Sequence, residues 1–237
     1  MLIHVNHPSQ TRSMTKTLII AAHPDDEILG CGATLAKMAR TGYSVHSIIV
    51  SEGITSRKSK DSKKQLLDLR KANKKSSKII NFTSMQLLNF PDNKLYSVDF
   101  LKIVQTFESI IDKIKPSIVF THHSGDLNID HQIVNRAVIT ATRPIEKCPV
   151  KKILTFETPS SSEWRFDEEN TFVPNYFENI EKFIKFKINA LKAYKSEMRK
   201  FPHPRSIENV KSIAKVRGST VGFRFAEAFR IVRQIKN

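Results

Sequence analysis

Apolar and polar positions along this chain follow two rhythms, one of strand length and one of helical period, and they take turns. Residues 17–22 (TLIIAA) are an unbroken apolar run, and 43–50, 85–90, 117–121 and 151–158 are further runs of strand length. Continuous runs bounded by turn residues suit strands buried on both faces. Between them, 30–40 is rich in small residues and ends at Gly42, which predicts a helix able to pack closely on a sheet. Residues 98–114 are apolar at 100, 101, 103, 104, 107, 110, 111 and 114, a helical period stopped by Pro116, and 132–142 repeats the pattern at 133, 134, 137, 138 and 141. Residues 176–198 read as one long amphipathic helix with Phe177, Ile180, Phe183, Ile184, Ile188 and Leu191 on one side. After a break at 201–206, another helix spans 207–217, and Gly218 and Gly222 frame a turn before 223–235. Alternation of this kind predicts an α/β fold with a mostly parallel sheet and helices on both faces.

Composition narrows the picture. With 237 residues and 40% hydrophobic content, the chain suits one α/β domain, expected over 17–237. Residues 1–16 are polar, lack the apolar core of a signal peptide and are expected to be a disordered leader, with Met14 as an alternative start. No segment approaches the roughly 20 apolar residues of a membrane span, so a soluble, cytoplasmic protein is expected. Its two cysteines, Cys31 and Cys148, form no CxxC pair, so a disulfide framework or a thiolate zinc knuckle has no support.

The formal charge of +16 is high, and ten Lys or Arg against two Asp fall within 57–78. Leu66, Leu67, Leu69 and Ala72 give that stretch one apolar face, so most of its charge reads as a solvated helix surface. Arg57, nearest the preceding strand end, is the candidate to meet a phosphate or carboxylate of a substrate. Excess positive charge suits an anionic substrate, peripheral contact with an anionic membrane, or nucleic acid. No nucleic-acid recognition motif is present, and aromatics are not interleaved with the basic run as stacking platforms, so specific nucleic-acid binding is not expected.

The chemistry concentrates in two places. His23-Pro24-Asp25-Asp26-Glu27 follows the first apolar run, and three adjacent acids are unfavourable unless a cation sits among them. A divalent metal held by His23 and one or two aspartates is one reading; a turn in which Asp25 or Asp26 caps the next helix is the other. The second cluster, HHSGDLNIDH over 122–131, follows the 117–121 strand. Asp126 and Asn128 there suit Asx turns, and Asp130 suits a helix cap. In a parallel sheet both clusters lie at the same edge and can converge, which favours the metal.

The AHPDDE segment after an apolar strand, with THHSGDLNIDH about a hundred residues later, resembles the zinc-dependent PIG-L/LmbE family of N-acetylglucosaminyl de-N-acetylases. Arg217-Gly218 with Ala226-Glu227-Ala228-Phe229 is similar to that family's C-terminal signature, so the likeness runs from about Lys16 to the end. It implies a Rossmann-like three-layer fold, a Zn2+ ion held by His23, Asp26 and His131, and Asp25 as the general base that takes a proton from water and returns it to the leaving amine. The substrate implied is an N-acetylated amino sugar, free or linked to a nucleotide or lipid, within glycan biosynthesis. One departure stands out: many members carry a histidine where this chain has Asn128, whose amide can donate a hydrogen bond to an oxyanion but supplies no proton. Asp130 is expected to orient an imidazole. A zinc amidohydrolase acting on a non-sugar amide, and a basic polyanion-binding protein with a vestigial metal site, are the alternatives.

Overall fold

The computed structural model describes residues 14–53 and 61–236. Strands β1 (Lys16–Ala21), β2 (Ser44–Ser51), β3 (Ser84–Phe90), β4 (Ile118–His122), β5 (Lys152–Phe156), β6 (Tyr176–Asn179) and β7 (Ala226–Gln234) form one sheet. Their order is β3-β2-β1-β4-β5-β7-β6. The first five run parallel, while β7 returns antiparallel to β5 and β6 antiparallel to β7. The helices are α1 (Asp26–Arg40), α2 (Ser62–Ile80), α3 (Phe100–Ile114), α4 (Ile129–Ala141), α5 (Ile184–Leu191) and α6 (Ile207–Ser219).

Successive side chains of a strand point to opposite faces, and here both faces are covered. Ile19, Ala21, Val45, Ile49, Phe120 and Leu154 pack under α1, α2, α5 and α6. Leu18, Ile20, Ile48, Val119 and Ile153 pack under α3 and α4. The unbroken apolar runs follow from this, because every position of a central strand enters one core or the other. The result is the expected α/β, Rossmann-like three-layer arrangement. Strand order reverses at β1, which has β2 on one side and β4 on the other, so the crevice at this switch point opens beside the ends of β1 and β4. Among the described residues no helix is long and apolar enough to cross a membrane. Helix α2 buries Leu69, Ala72, Asn73, Ser76 and Ile80 and turns its lysines to solvent, as its charge pattern predicts.

One element differs in kind from the sequence expectation. Residues 176–198 are not one helix: Tyr176–Asn179 is a strand, Asn179 Oδ1 accepts the Glu181 N–H at 3.0 Å to turn the chain, and only Ile184–Leu191 is helical. Beyond the turn framed by Gly218 and Gly222, to which the sequence assigns no element, Ala226–Gln234 forms β7, whose first four side chains are buried. Helix α1 also starts earlier than expected, at Asp26, and is broken at Cys31 (φ −141°, ψ 19°). The break leaves backbone N–H groups free in the helix interior, and Glu227 of β7 accepts two of them, from Ala33 at 3.0 Å and Thr34 at 2.6 Å. Glu227 also pairs with Lys187 of α5 at 2.7 Å, whose ammonium donates to the Leu29 carbonyl at 2.7 Å. Gly30 sits at the same place against the Phe156 ring; a Cβ there would lie 2.1 Å from Phe156 Cδ2.

Candidate metal centre

The turn after β1 is built by its own acids. Pro24 leads into Asp25, which adopts a left-handed backbone (φ 98°). A non-glycine residue there is strained and persists only when held from several sides. The Asp25 N–H donates to Glu27 Oε2 at 3.0 Å, while its carbonyl accepts from Ile28 and Leu29 at 3.0 and 2.8 Å. Glu27 is held in turn by the Tyr194 hydroxyl at 3.0 Å. The reversal brings His23 Nδ1 to 3.2 Å from Asp26 Oδ2.

Across the crevice, two successive Asx turns start α4. Asp126 Oδ1 accepts the Asn128 N–H at 2.9 Å, and Asn128 Oδ1 accepts the Asp130 N–H at 2.8 Å as the helix N-cap. The cap is therefore Asn128, and Asp130 lies inside the first turn. His131, next in line, places Nε2 at 3.1 Å from Asp26 Oδ2 and 3.2 Å from His23 Nδ1. His23, Asp26 and His131 thus bring one ligand atom each into a single cluster.

The donor chemistry of this trio fits a cation. His23 Nε2 faces Asp130 Oδ2 at 3.3 Å and Asp92 Oδ1 at 3.5 Å, and His131 Nδ1 faces Asp126 Oδ1 at 3.1 Å. Outer nitrogens that carry protons toward carboxylates leave the inner Nδ1 and Nε2 with lone pairs, aimed at each other and at a carboxylate oxygen. Three acceptors at such range are stable only around a proton or a metal. Burial opposes charge on His23, yet the Asp130 and Asp26 hydrogen bonds outweigh it and lift the pKa to about 10. His131 is raised in the same way, burial being overcome by Asp26 and Asp126. For Asp26, burial is outweighed by His131, so the carboxyl is held well below its usual range. Two imidazoles and one carboxylate are the ligand set of a catalytic zinc site, which keeps a coordination position for substrate.

Around the trio each polar group has a defined place. Asp126 is gripped by the Ser161 hydroxyl and, at 2.6 Å, by that of Ser162, and its pKa falls to about 2 because the hydrogen bond from His131 outweighs burial. Asp130 Oδ1 accepts the Leu95 N–H at 3.0 Å, tying the β3 loop to the site. His122 is a fixed neutral ring: its Nε2 accepts the Ala22 N–H at 2.9 Å, and burial holds its pKa well below the usual value. It stacks on His131 with centroids 3.8 Å apart. His123 is spent on the Asn170 carbonyl at 2.9 Å. The Asn128 amide nitrogen donates to Asn93 Oδ1 at 3.2 Å. Trp164 is 41% exposed and meets the His203 ring in a T-shaped arrangement, with centroids 6.0 Å apart. Arg57 lies outside the described residues.

Asp25 is fully buried, and burial pushes its pKa up to about 7 against the pull of Arg205. Arg205 donates to Asp25 Oδ2 at 3.0 Å. Sequence reading missed this arginine. Its surroundings, an arginine between a proline and a helix-capping serine, gave only a chain break, because nothing local points it at a residue so distant along the chain.

The PIG-L family, described as GlcNAc-PI de-N-acetylase, matches residues 18–142, from β1 through both acid–histidine clusters to the end of α4. The chain belongs to the PIG-L family. An uncharacterized deacetylase of Escherichia coli (strain K12), YaiS, is 31% identical over 185 residues, covering 76% of this chain and 90% of that protein. Diacetylchitobiose deacetylase of Thermococcus kodakarensis is 25% identical over 244 residues, covering 96% of this chain and 86% of that one. Among solved structures, the conserved protein TT1542 of Thermus thermophilus superposes with a TM-score of 0.77 at 24% identity, over 94% of this chain and 97% of its own, a likeness of fold. The PIG-L match ends before Arg205 and Glu227.

Proposed function

We propose that this N-deacetylase removes the acetyl group from an N-acetylated amino sugar, with a zinc ion held by His23 Nδ1, Asp26 Oδ2 and His131 Nε2. The observation that carries the reading is the convergence of these three atoms with Asp25, a buried carboxylate next in sequence to one ligand. When bound, the ion supplies Lewis acidity toward the acetamide carbonyl and lowers the pKa of water. The remaining work falls to side chains. Asp25 takes a proton from the attacking water, and the same carboxyl returns it to the amine as the C–N bond breaks, giving acetate and a free amino sugar. Asp130 and Asp126 keep the two imidazoles oriented. Asn128 Oδ1 caps α4 and its amide nitrogen donates to Asn93 Oδ1, so we assign it the cap rather than the oxyanion-donor role its position in the motif implies.

The positive charge and the half-exposed Trp164 support an anionic or glycan-bearing substrate, nucleotide- or lipid-linked. The test is acetate release from a panel of N-acetylhexosamines, nucleotide-linked and lipid-linked included, with zinc content measured in parallel. Asp25→Asn is expected to lose at least about a thousandfold in kcat while keeping zinc, and His23→Ala or His131→Ala to lose zinc as well. Near wild-type turnover in Asp25→Asn removes the base assignment, and full zinc content in both histidine variants removes the ligand set.

A further inference from the structure

Arg205 reaches the site from the turn segment between α5 and α6, and every part of it is fixed. Its N–H donates to His203 Nδ1 at 3.0 Å, its carbonyl accepts from Arg199 at 3.3 Å, and the next residue, Ser206, caps α6. The guanidinium is gripped at two edges: Nε donates to Ser160 Oγ at 2.7 Å and Nη1 to Asp25 Oδ2 at 3.0 Å. Nη2 lies 3.7 Å from Asp26 Oδ1 and Nη1 3.9 Å from Glu197 Oε2. The two oxygens of Asp25 are therefore unequal. Oδ2 is held by a planar donor, while Oδ1 is buried with no hydrogen-bond partner in the protein. Buried carboxylate oxygens are rarely left so, and one beside a reacting centre is the one open to an incoming donor.

We propose that Arg205 is a positioning residue: by holding Oδ2 of Asp25 it fixes the carboxylate plane and presents Oδ1 as the atom that accepts the proton of the attacking water. This rests on Asp25 as the general base and adds which oxygen acts and what aims it. The guanidinium fork, anchored on Ser160, sets the angle; a point charge does not. A misplacement of about 1 Å in such a group is worth about a hundredfold in rate.

The experiment compares Arg205→Ala, Arg205→Lys, Asp25→Asn and the Asp25→Asn/Arg205→Lys pair in the zinc-loaded enzyme. Arg205→Ala is expected to lose at least about a hundredfold in kcat with KM within about threefold, and added methylguanidine to restore at least about tenfold of the loss. Arg205→Lys, which keeps the charge, is expected to retain the melting temperature and zinc affinity yet remain at least about tenfold below wild type in kcat. In the Asp25→Asn background the lysine change is expected to have no further effect, since a residue acting through Asp25 has nothing left to position. Wild-type kcat in Arg205→Lys reduces the arginine to a charge and overturns the proposal, as does a further tenfold loss in the double variant. If instead Asp25→Asn keeps wild-type turnover, the base assignment fails first and the positioning role fails with it.

Discussion

The buried pair of Glu227 and Lys187 sets the strongest stability prediction. Glu227 is 4% exposed and Lys187 5%, and the carboxylate answers three donors: the Ala33 and Thr34 N–H groups at the break in α1 and the Lys187 ammonium. Glu227→Gln keeps one acceptor oxygen, turns an NH2 toward donors and leaves a buried ammonium without its counter-charge. Breaking a buried pair from one side costs about 3–5 kcal/mol. Lys187→Met is milder, because the remaining carboxylate still accepts two backbone N–H bonds at the start of a helical segment, where negative charge is favoured; about 1–2 kcal/mol is expected, mostly from the Leu29 carbonyl losing its donor. In the double variant the stranded ammonium is gone, so its loss should fall short of the sum by at least about 1 kcal/mol. Urea unfolding followed by far-UV circular dichroism reads these directly. With a slope of about 3 kcal/mol per molar, Glu227→Gln should move the midpoint down by about 1–1.7 M. A midpoint within about 0.3 M of wild type for Glu227→Gln, or strictly additive losses in the double variant, would refute the reasoning.

Three further substitutions have defined outcomes. Gly30→Ala puts a Cβ into the Phe156 ring and should cost about 1–3 kcal/mol, seen as a fall in melting temperature that Phe156→Leu partly reverses; an unchanged melting temperature contradicts the packing described. Asp126→Asn exchanges the carboxylate facing His131 Nδ1 for an amide and should weaken zinc about 10- to 100-fold in competition with a chromophoric chelator, whereas unaltered affinity would mean that Asp126 does not orient the ligand. Asn128→Ala removes the α4 cap and should cost about 1 kcal/mol in urea unfolding. Its kcat should stay within about tenfold of wild type, and a loss beyond about a hundredfold would make the amide an oxyanion donor after all.

What was legible in the sequence was local. HPDDE follows β1 directly, and DLNIDH builds its own Asx turns, so each cluster is made by neighbours in the chain, and a parallel sheet delivers both to one edge. The span misread as a helix shows the limit. Phe177, Ile180, Ile184, Ile188 and Leu191 keep a helical spacing, but the first of these lies in a four-residue strand, too short for alternation to declare itself. The Asx turn at Asn179, a signal that was present, is what ends that strand.

The least legible contacts are those that complete the site, and they explain why the fold needs its antiparallel edge. Arg205 meets Asp25 across 180 residues and Glu227 meets Ala33 across 194, distances over which no spacing rule operates. Because β7 returns between β5 and β6, Glu227 arrives beneath the break in α1, and the AEAF segment is buried along its whole length. That break separates the short segment Asp26–Gly30, which begins with the proposed ligand Asp26, from the longer segment that packs on the sheet. Helix α5 adds Lys187 to the same point, and the residues beyond it add Tyr194, which holds Glu27, and Arg205, which holds Asp25. The proposed metal ligands all fall within the first 142 residues, yet the groups that hold the neighbouring acids come from beyond residue 186. A chain ending after α4 would retain every proposed ligand and lose the side chains that hold Asp25, Glu27 and the α1 break in place.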